Sequence, residues 1–166
     1  MILSDLASGD SAFLDANIFV YYFQPHATLA SSCDELFDRI GRVEINGYTS
    51  THVLSEMAHR LMMFEAATAY GWGPNKIKAR LKQAPSSLGK LVRFRQALEL
   101  VLRSRIQIIA ITPDLVLSAA IISQQTGLLS NDALIVAAMQ ANGLNKLAGN
   151  DADFDRVPGL TRYGPT

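Results

Sequence analysis

The chain has 166 residues, 49% of them apolar and 18% charged, which is enough apolar material for a single domain with a real core and too much for disorder over most of the length. Fifteen basic and fifteen acidic side chains give a formal net charge of zero, so the chain as a whole is neither a polycation nor an acidic tail. One cysteine excludes an internal disulfide and a cysteine-based zinc cluster, while apolar runs no longer than IFVYYF and ALIVAAM exclude a bilayer-spanning helix.

In chain order, the opening MILSDLASGD has no basic n-region, so a non-secreted, soluble, cytoplasmic protein without membrane association is expected. Residues 12–15 read as a buried strand and 17–23 as a short apolar helix closed by Pro25. Residues 28–42 are amphipathic, with Leu29, Cys33, Leu36, Phe37 and Ile40 at helical spacing and Gly41 near the end. Cys33 has no neighbouring base and reads as a small, half-buried side chain. Residues 43–48 read as a second strand. Thr49, Ser50 and Thr51 are cap candidates for a long helix reaching about Tyr70, where Gly71, Gly73 and Pro74 break it.

Residues 75–83 form a short basic helix, 84–89 loosen the chain, and 91–103 are helical again. An isoleucine-rich strand follows at 106–111. Thr112-Pro113-Asp114 then starts a helix, with a cap hydroxyl, proline in the first position and an acid in the first turn. Gly127 ends that helix, Asn131 opens the next and Gly143 ends it; 146–149 and 160–163 complete the strands. Strands alternating with helices imply an α/β fold with a parallel sheet of four to five strands covered on both faces, and ligands beyond the carboxyl ends of the strands.

Four acids stand where an otherwise apolar chain changes direction: Asp15 in AFLDANIF, Glu56 in VLSEMAHR, Asp132 in LLSNDALIV and Asp151 in LAGNDADFD. An unpaired carboxylate is costly to bury, and a hard divalent ion such as Mg2+ or Mn2+ offsets that cost with oxygen ligands. Each acid also has a plainer role. Asp132 suits a helix N-terminus, Glu56 can pair with Arg60, and Asp151 suits a turn. Asp15 closes an apolar strand and is the hardest to dismiss.

Between Lys76 and Arg105 nine Lys or Arg face Glu99 alone, so the rest of the chain carries minus eight. Basic and acidic regions in one small protein suit a phosphodiester, with Lys78, Lys82 and Arg93 as phosphate contacts; the plainer reading is a helix that exposes its Lys and Arg stems for solubility. The same segment could instead dock an acidic protein. Aromatic residues are sparse there, Trp72 before it and Phe94 within it. The histidines fit catalysis poorly: His26 lies in a loop, and His52 and His59 form no HExxH pattern with Glu56. No GxSxG elbow suggests a serine hydrolase. A phosphatase or phosphotransfer receiver would share the acids but want a Lys after a strand, where Lys146 precedes one.

The order LDANIF, STHVLSEMAHR, NDALIVAAM and NDADFDRVPGL resembles the PIN domain, most closely the VapC-type toxins of toxin–antitoxin pairs, from about residue 12 to 160. The resemblance implies a three-layer α/β/α fold and a Mg2+- or Mn2+-dependent endoribonuclease acting as a toxin. It places the catalytic and metal-binding quartet on Asp15, Glu56, Asp132 and Asp151, with Asp153 as a fifth ligand and Asn17 as a polar supporter. RNA, an antitoxin protein and a second copy of the chain are the implied partners; the alternative is a non-catalytic PIN-fold module that only binds RNA or protein. Family members usually carry a hydroxyl two residues before the fourth acid, where this chain has Gly149, so that role is either lost or moved to Asn150 or Ser130. The segment at about 71–91 is a basic helical insertion relative to compact members.

Overall fold

The computed structural model describes residues 1–24 and 29–166. Pro25 as a helix stop, His26 in a loop and Thr28 as a helix start lie outside the described residues. Five parallel strands form one sheet in the order β3-β2-β1-β4-β5. They are β1 (Ser11–Leu14), β2 (Asn46–Ser50), β3 (Gln107–Ile109), β4 (Lys146–Ala148) and β5 (Thr161–Tyr163). The chain runs outward from β1 through β2 to β3, then crosses to β4 and β5 on the other side. That reversal beside β1 is the topological switch where open α/β sheets bind ligands.

Right-handed crossovers put the two sets of helices on opposite faces. On one face α1 (Ala16–Phe23) packs against α2 (Ala30–Gly41) and α3 (Thr51–Tyr70), and α5 (Arg93–Arg103) packs against α3. On the other α6 (Pro113–Thr126) packs against α7 (Ser130–Ala141). Phe13, Phe19, Phe154 and Met57 are fully buried in the core of the sheet and its helices. Truncating one such Phe to Ala would cost about 3–5 kcal/mol.

The strands are shorter and shifted compared with their apolar runs. The second strand runs over 46–50 rather than 43–48: Val43 takes a left-handed φ of 61° in an exposed turn, and pairing begins at Asn46. A β-branched residue misleads here because a turn, not the sheet, holds it. The isoleucine run pairs only at 107–109, as an edge strand of three residues. Ser130, not Asn131, opens α7, with Leu129 at the cap position and no side-chain bond to the first turn. Cys33 is fully buried rather than half-buried, and burial pushes its thiol up to about 12.

The three cap candidates before α3 divide the work. Ser50 Oγ accepts from the Val53 amide at 3.3 Å, Thr49 Oγ1 donates to the Leu14 carbonyl at 3.0 Å, and Thr51 Oγ1 accepts from the Ile111 amide at 3.1 Å. One hydroxyl caps the helix, one ties β2 to the end of β1, and one ties the start of α3 to the chain just past β3.

Beyond the sheet, α4 (Pro74–Gln83) and a 3-10 segment (Pro85–Lys90) pack on the far half of α3. They enclose a second, small core of Ala66, Ile77, Leu81 and Leu91. Gly71 ends α3 at a φ of 62°, a backbone conformation that costs glycine nothing. Tyr70 Oη donates to the Ser87 carbonyl at 2.8 Å. The start of α5 is capped by a residue from another helix: the buried Glu65 carboxylate accepts from the amides of Val92, Arg93 and Phe94 at 2.8, 3.1 and 3.1 Å. No helix among the described residues is long and apolar enough to cross a membrane.

Candidate active site

Asp15 follows the last residue of β1 and serves as the N-cap of α1, so the central strand delivers it to the switch point. It is only 7% exposed. Its Oδ1 accepts from the Ala16 amide at 2.7 Å and its Oδ2 from the Asn17 side-chain amide at 2.5 Å. Burial, with Glu56 and Asp132 adding like charge, lifts the carboxyl from 3.8 to about 6 against the pull of the Ala16 amide and Arg60. Arg60 relieves that repulsion only in part, because it faces the Glu56 carboxylate at 3.6 Å.

Glu56 projects from the second turn of α3 and Asp132 from the first turn of α7, so the acids come from opposite faces of the sheet to its carboxyl edge. Asp132 is raised by burial and then by Asp151, Glu56 and Asp153, with His52 opposing. Asp15, Glu56, Asp132 and Asp151 thus feel one another's charge at the carboxyl edge of the sheet. Asp151 lies just past β4, where its Oδ1 accepts from the Asp153 amide at 2.9 Å. Asp153 is held by Arg156 at 2.6 Å, which neutralises it within the protein. Among the described residues no three His, Cys, Asp or Glu are already drawn together as a finished metal-ligand set.

Asn17 ties this site together. While its amide nitrogen donates to Asp15, its Oδ1 accepts from the Asn150 backbone amide at 3.2 Å, linking α1 to the end of β4. Asn150 then uses its side chain on the Tyr21 hydroxyl at 3.1 Å. Ser130 stands exposed at the start of α7. Gly149 reflects close approach: a Cβ there would lie 3.3 Å from the Asp15 Cβ and 3.7 Å from its Oδ2. A hydroxyl side chain at this position would therefore start against the Asp15 carboxylate, and in this chain the Asn17–Asn150 bridge braces Asp15 instead.

Two neighbours of the acids carry more than the sequence assigned them, which was an ordinary histidine at His52 and a helix ion pair at Arg60. His52 shares the Glu56 face of α3, acts on Asp132, and has a buried Nε2 without a partner among the described residues. Arg60 is the local counter-charge. Both lie four residues from Glu56, a spacing that was the available signal. The basic candidates line different hollows. Lys78 and Lys82 line a hollow of about 300 Å³ with His59, Met62 and Met63, whereas Arg93 lines another with Phe23 and Gln24.

The donor set fits a hard divalent ion. Every candidate ligand is a carboxylate or amide oxygen, and Asp15 is buried with only neutral hydrogen-bond donors on its oxygens.

A sequence model of the PIN domain matches residues 12–160. Ribonuclease VapC2 of Methanocaldococcus jannaschii is 30% identical over 147 residues, covering 87% of each chain. Among solved structures, VapBC2 of Rickettsia felis bound to a promoter DNA fragment matches with a TM-score of 0.56 at 20% identity, over 94% of this chain and 99% of that one. Mycobacterium tuberculosis VapC20, a Sarcin-Ricin loop cleaving toxin, matches with a TM-score of 0.60 at 17% identity, over 87% and 92%. A toxin–antitoxin complex from Klebsiella pneumoniae gives 0.52 at 21%, over 90% and 95%. A five-stranded parallel sheet and a family match over nearly the whole length agree: this chain belongs to the PIN domain family.

Proposed function

We propose that the protein is a Mg2+- or Mn2+-dependent endoribonuclease and the toxin of a toxin–antitoxin pair. The observation that carries this reading is Asp15, a buried carboxylate at the end of the central strand, lifted to about 6 beside Glu56 and Asp132. The ribonuclease name of the M. jannaschii relative supplies the substrate class, and the toxin–antitoxin complexes among the structural neighbours supply the antitoxin partner. Under the same reading a second copy of the chain is a partner.

Asp15, Glu56, Asp132 and Asp151 would hold the ion, which when bound supplies Lewis acidity and a water of lowered pKa. The protein's own groups set the geometry. Asn17 fixes the rotamer of Asp15 and locks it to the β4 end, so the carboxylate reaches the crevice without reorganising. Arg60 lies close enough to moderate the acid cluster. The net reaction joins a water oxygen to phosphorus, breaks the phosphorus–oxygen bond to the leaving ribose, and returns the proton to that oxygen. No side chain need form a covalent bond.

Cleavage of a single-stranded RNA, followed in Mg2+, in Mn2+ and in chelator, tests the reading. Cleavage is expected with either ion, not in chelator, and not in a variant combining Asp132→Asn with Asp151→Asn. An equal rate in chelator, or in the double variant, would overturn it.

A further inference from the structure

The structure holds a second cluster of chemistry at the tip of α3, away from the acids. From Glu56 to Tyr70 the helix climbs on the order of 20 Å, at about 1.5 Å per residue. There Trp72 stacks on Tyr70 with ring centroids 4.5 Å apart and planes 25° from parallel, and the Arg80 guanidinium lies 5.5 Å from the Trp72 centroid. The ring borders an open hollow of about 350 Å³ with Gly71, Gly73, Pro74, Asn75, Lys76 and Arg80.

Each part suits a planar, anionic ligand. Gly71 and Gly73 flank the indole and add no side chain beside it, while the half-buried ring packs on its inner side against the small core of α3 and α4. Behind it Tyr70 is pinned through its hydroxyl to Ser87, so the aromatic pair is ordered before anything binds. Helix α4 buries only Ile77 and Leu81 and exposes Lys76, Lys78, Arg80 and Lys82, with no acid in its ten residues. Lys76 and Arg80, one turn apart, face the hollow together.

We infer that Tyr70, Trp72 and Arg80 form a stacking platform for an unpaired base of a single-stranded RNA, with Lys76 and Arg80 holding the adjoining phosphate. The inference rests on the ribonuclease reading and extends it, giving the substrate a second point of attachment a few nucleotides from the bond that is cut. Stacking tolerates any base while the cations follow the backbone, so the platform sets length and single-strandedness rather than sequence. An acidic protein segment would use the cations but not the ring.

Trp72 is the one tryptophan of the chain, so intrinsic emission reports on this site alone. In chelator, the wild-type protein is titrated with a labelled RNA hexamer and with an abasic hexamer of equal length and charge; anisotropy gives affinity and emission gives stacking. The RNA is expected to quench Trp72 and to bind about ten-fold more tightly than the abasic strand, which leaves emission nearly unchanged. Trp72→Leu should weaken RNA binding by about ten-fold and Trp72→Phe by much less, because Phe keeps a ring. Arg80→Gln should flatten the salt dependence. Equal binding of the two strands without quenching, or equal weakening by Leu and Phe, overturns the platform. Mg2+-dependent cleavage, scored separately, then shows whether the acid site still stands. Absence of both binding and cleavage overturns the platform and the ribonuclease reading together.

Discussion

The carboxylate crevice and the basic outgrowth are built to different standards. In the crevice, Asp15 is fixed by strand position, by its role as a helix cap and by an amide bridge to β4, beneath a core whose largest side chains are fully buried. The outgrowth rests on a small core of Ala66, Ile77, Leu81 and Leu91, one tyrosine hydroxyl and one glutamate. On the proposed roles, chemistry that fails on small displacements would sit on the sheet, and contacts with a flexible strand would be mounted on a lighter frame.

The sharpest way to break this contrast is Asp15→Asn. Loss of a charged ligand should reduce RNA cleavage by about a thousandfold or more. Binding of RNA in chelator should persist, since the outgrowth is untouched. Cleavage by the variant near the wild-type rate would remove Asp15 from the chemistry.

The pH dependence of stability separates the regions next. Without divalent ions, folded Asp15 keeps its proton to about 6 while the unfolded carboxyl loses it near 3.8. Between those values the folded state binds more protons, so stability falls as pH rises. The whole interval corresponds to roughly 3 kcal/mol. Denaturant unfolding at pH 4 and pH 7 should show a loss on raising the pH that is smaller in Asp15→Asn by about this amount. An equal loss in both proteins would contradict the burial argument.

Glu65→Ala attacks the other region. Removing the acceptor of three amides should cost about 2–3 kcal/mol, read in urea melts, and loosen the seat of α5. The acids should keep their Mg2+ response. The smallest effect is expected from Lys78→Gln with Lys82→Gln: each lost phosphate contact should lower the slope of log affinity against log salt by about 0.7. Arg93→Gln, on a different hollow, should add to that pair independently or contribute nothing. A coupled response would mean that one strand of RNA spans both hollows.

Much of this was legible in the chain. The alternation of short strands and helices, the caps at Ser50 and Thr112 and the left-handed glycines Gly71 and Gly127 announce the layers. Asp15 at the end of an apolar strand announces a buried carboxylate, because burying a charge needs a reason. Long-range partners were illegible. Nothing local to Glu65 says that it caps a helix beginning 28 residues on, and nothing local to Asn17 says that it receives the Asn150 amide. Strand ends failed for the related reason that pairing, not apolarity, decides where Val43 and Ile111 belong.

The Glu65 cap also supplies a gauge. Three consecutive backbone amides, those of Val92, Arg93 and Phe94, are hydrogen-bonded only as long as α3 and the start of α5 stay in register. Their hydrogen-exchange rates therefore read out the docking of that segment directly, apart from global unfolding, which the buried strand amide of Phe13 would register instead. Slowing at 92–94 on addition of RNA or of a protein partner, with Phe13 unchanged, would mark occupancy of the outgrowth in a single spectrum.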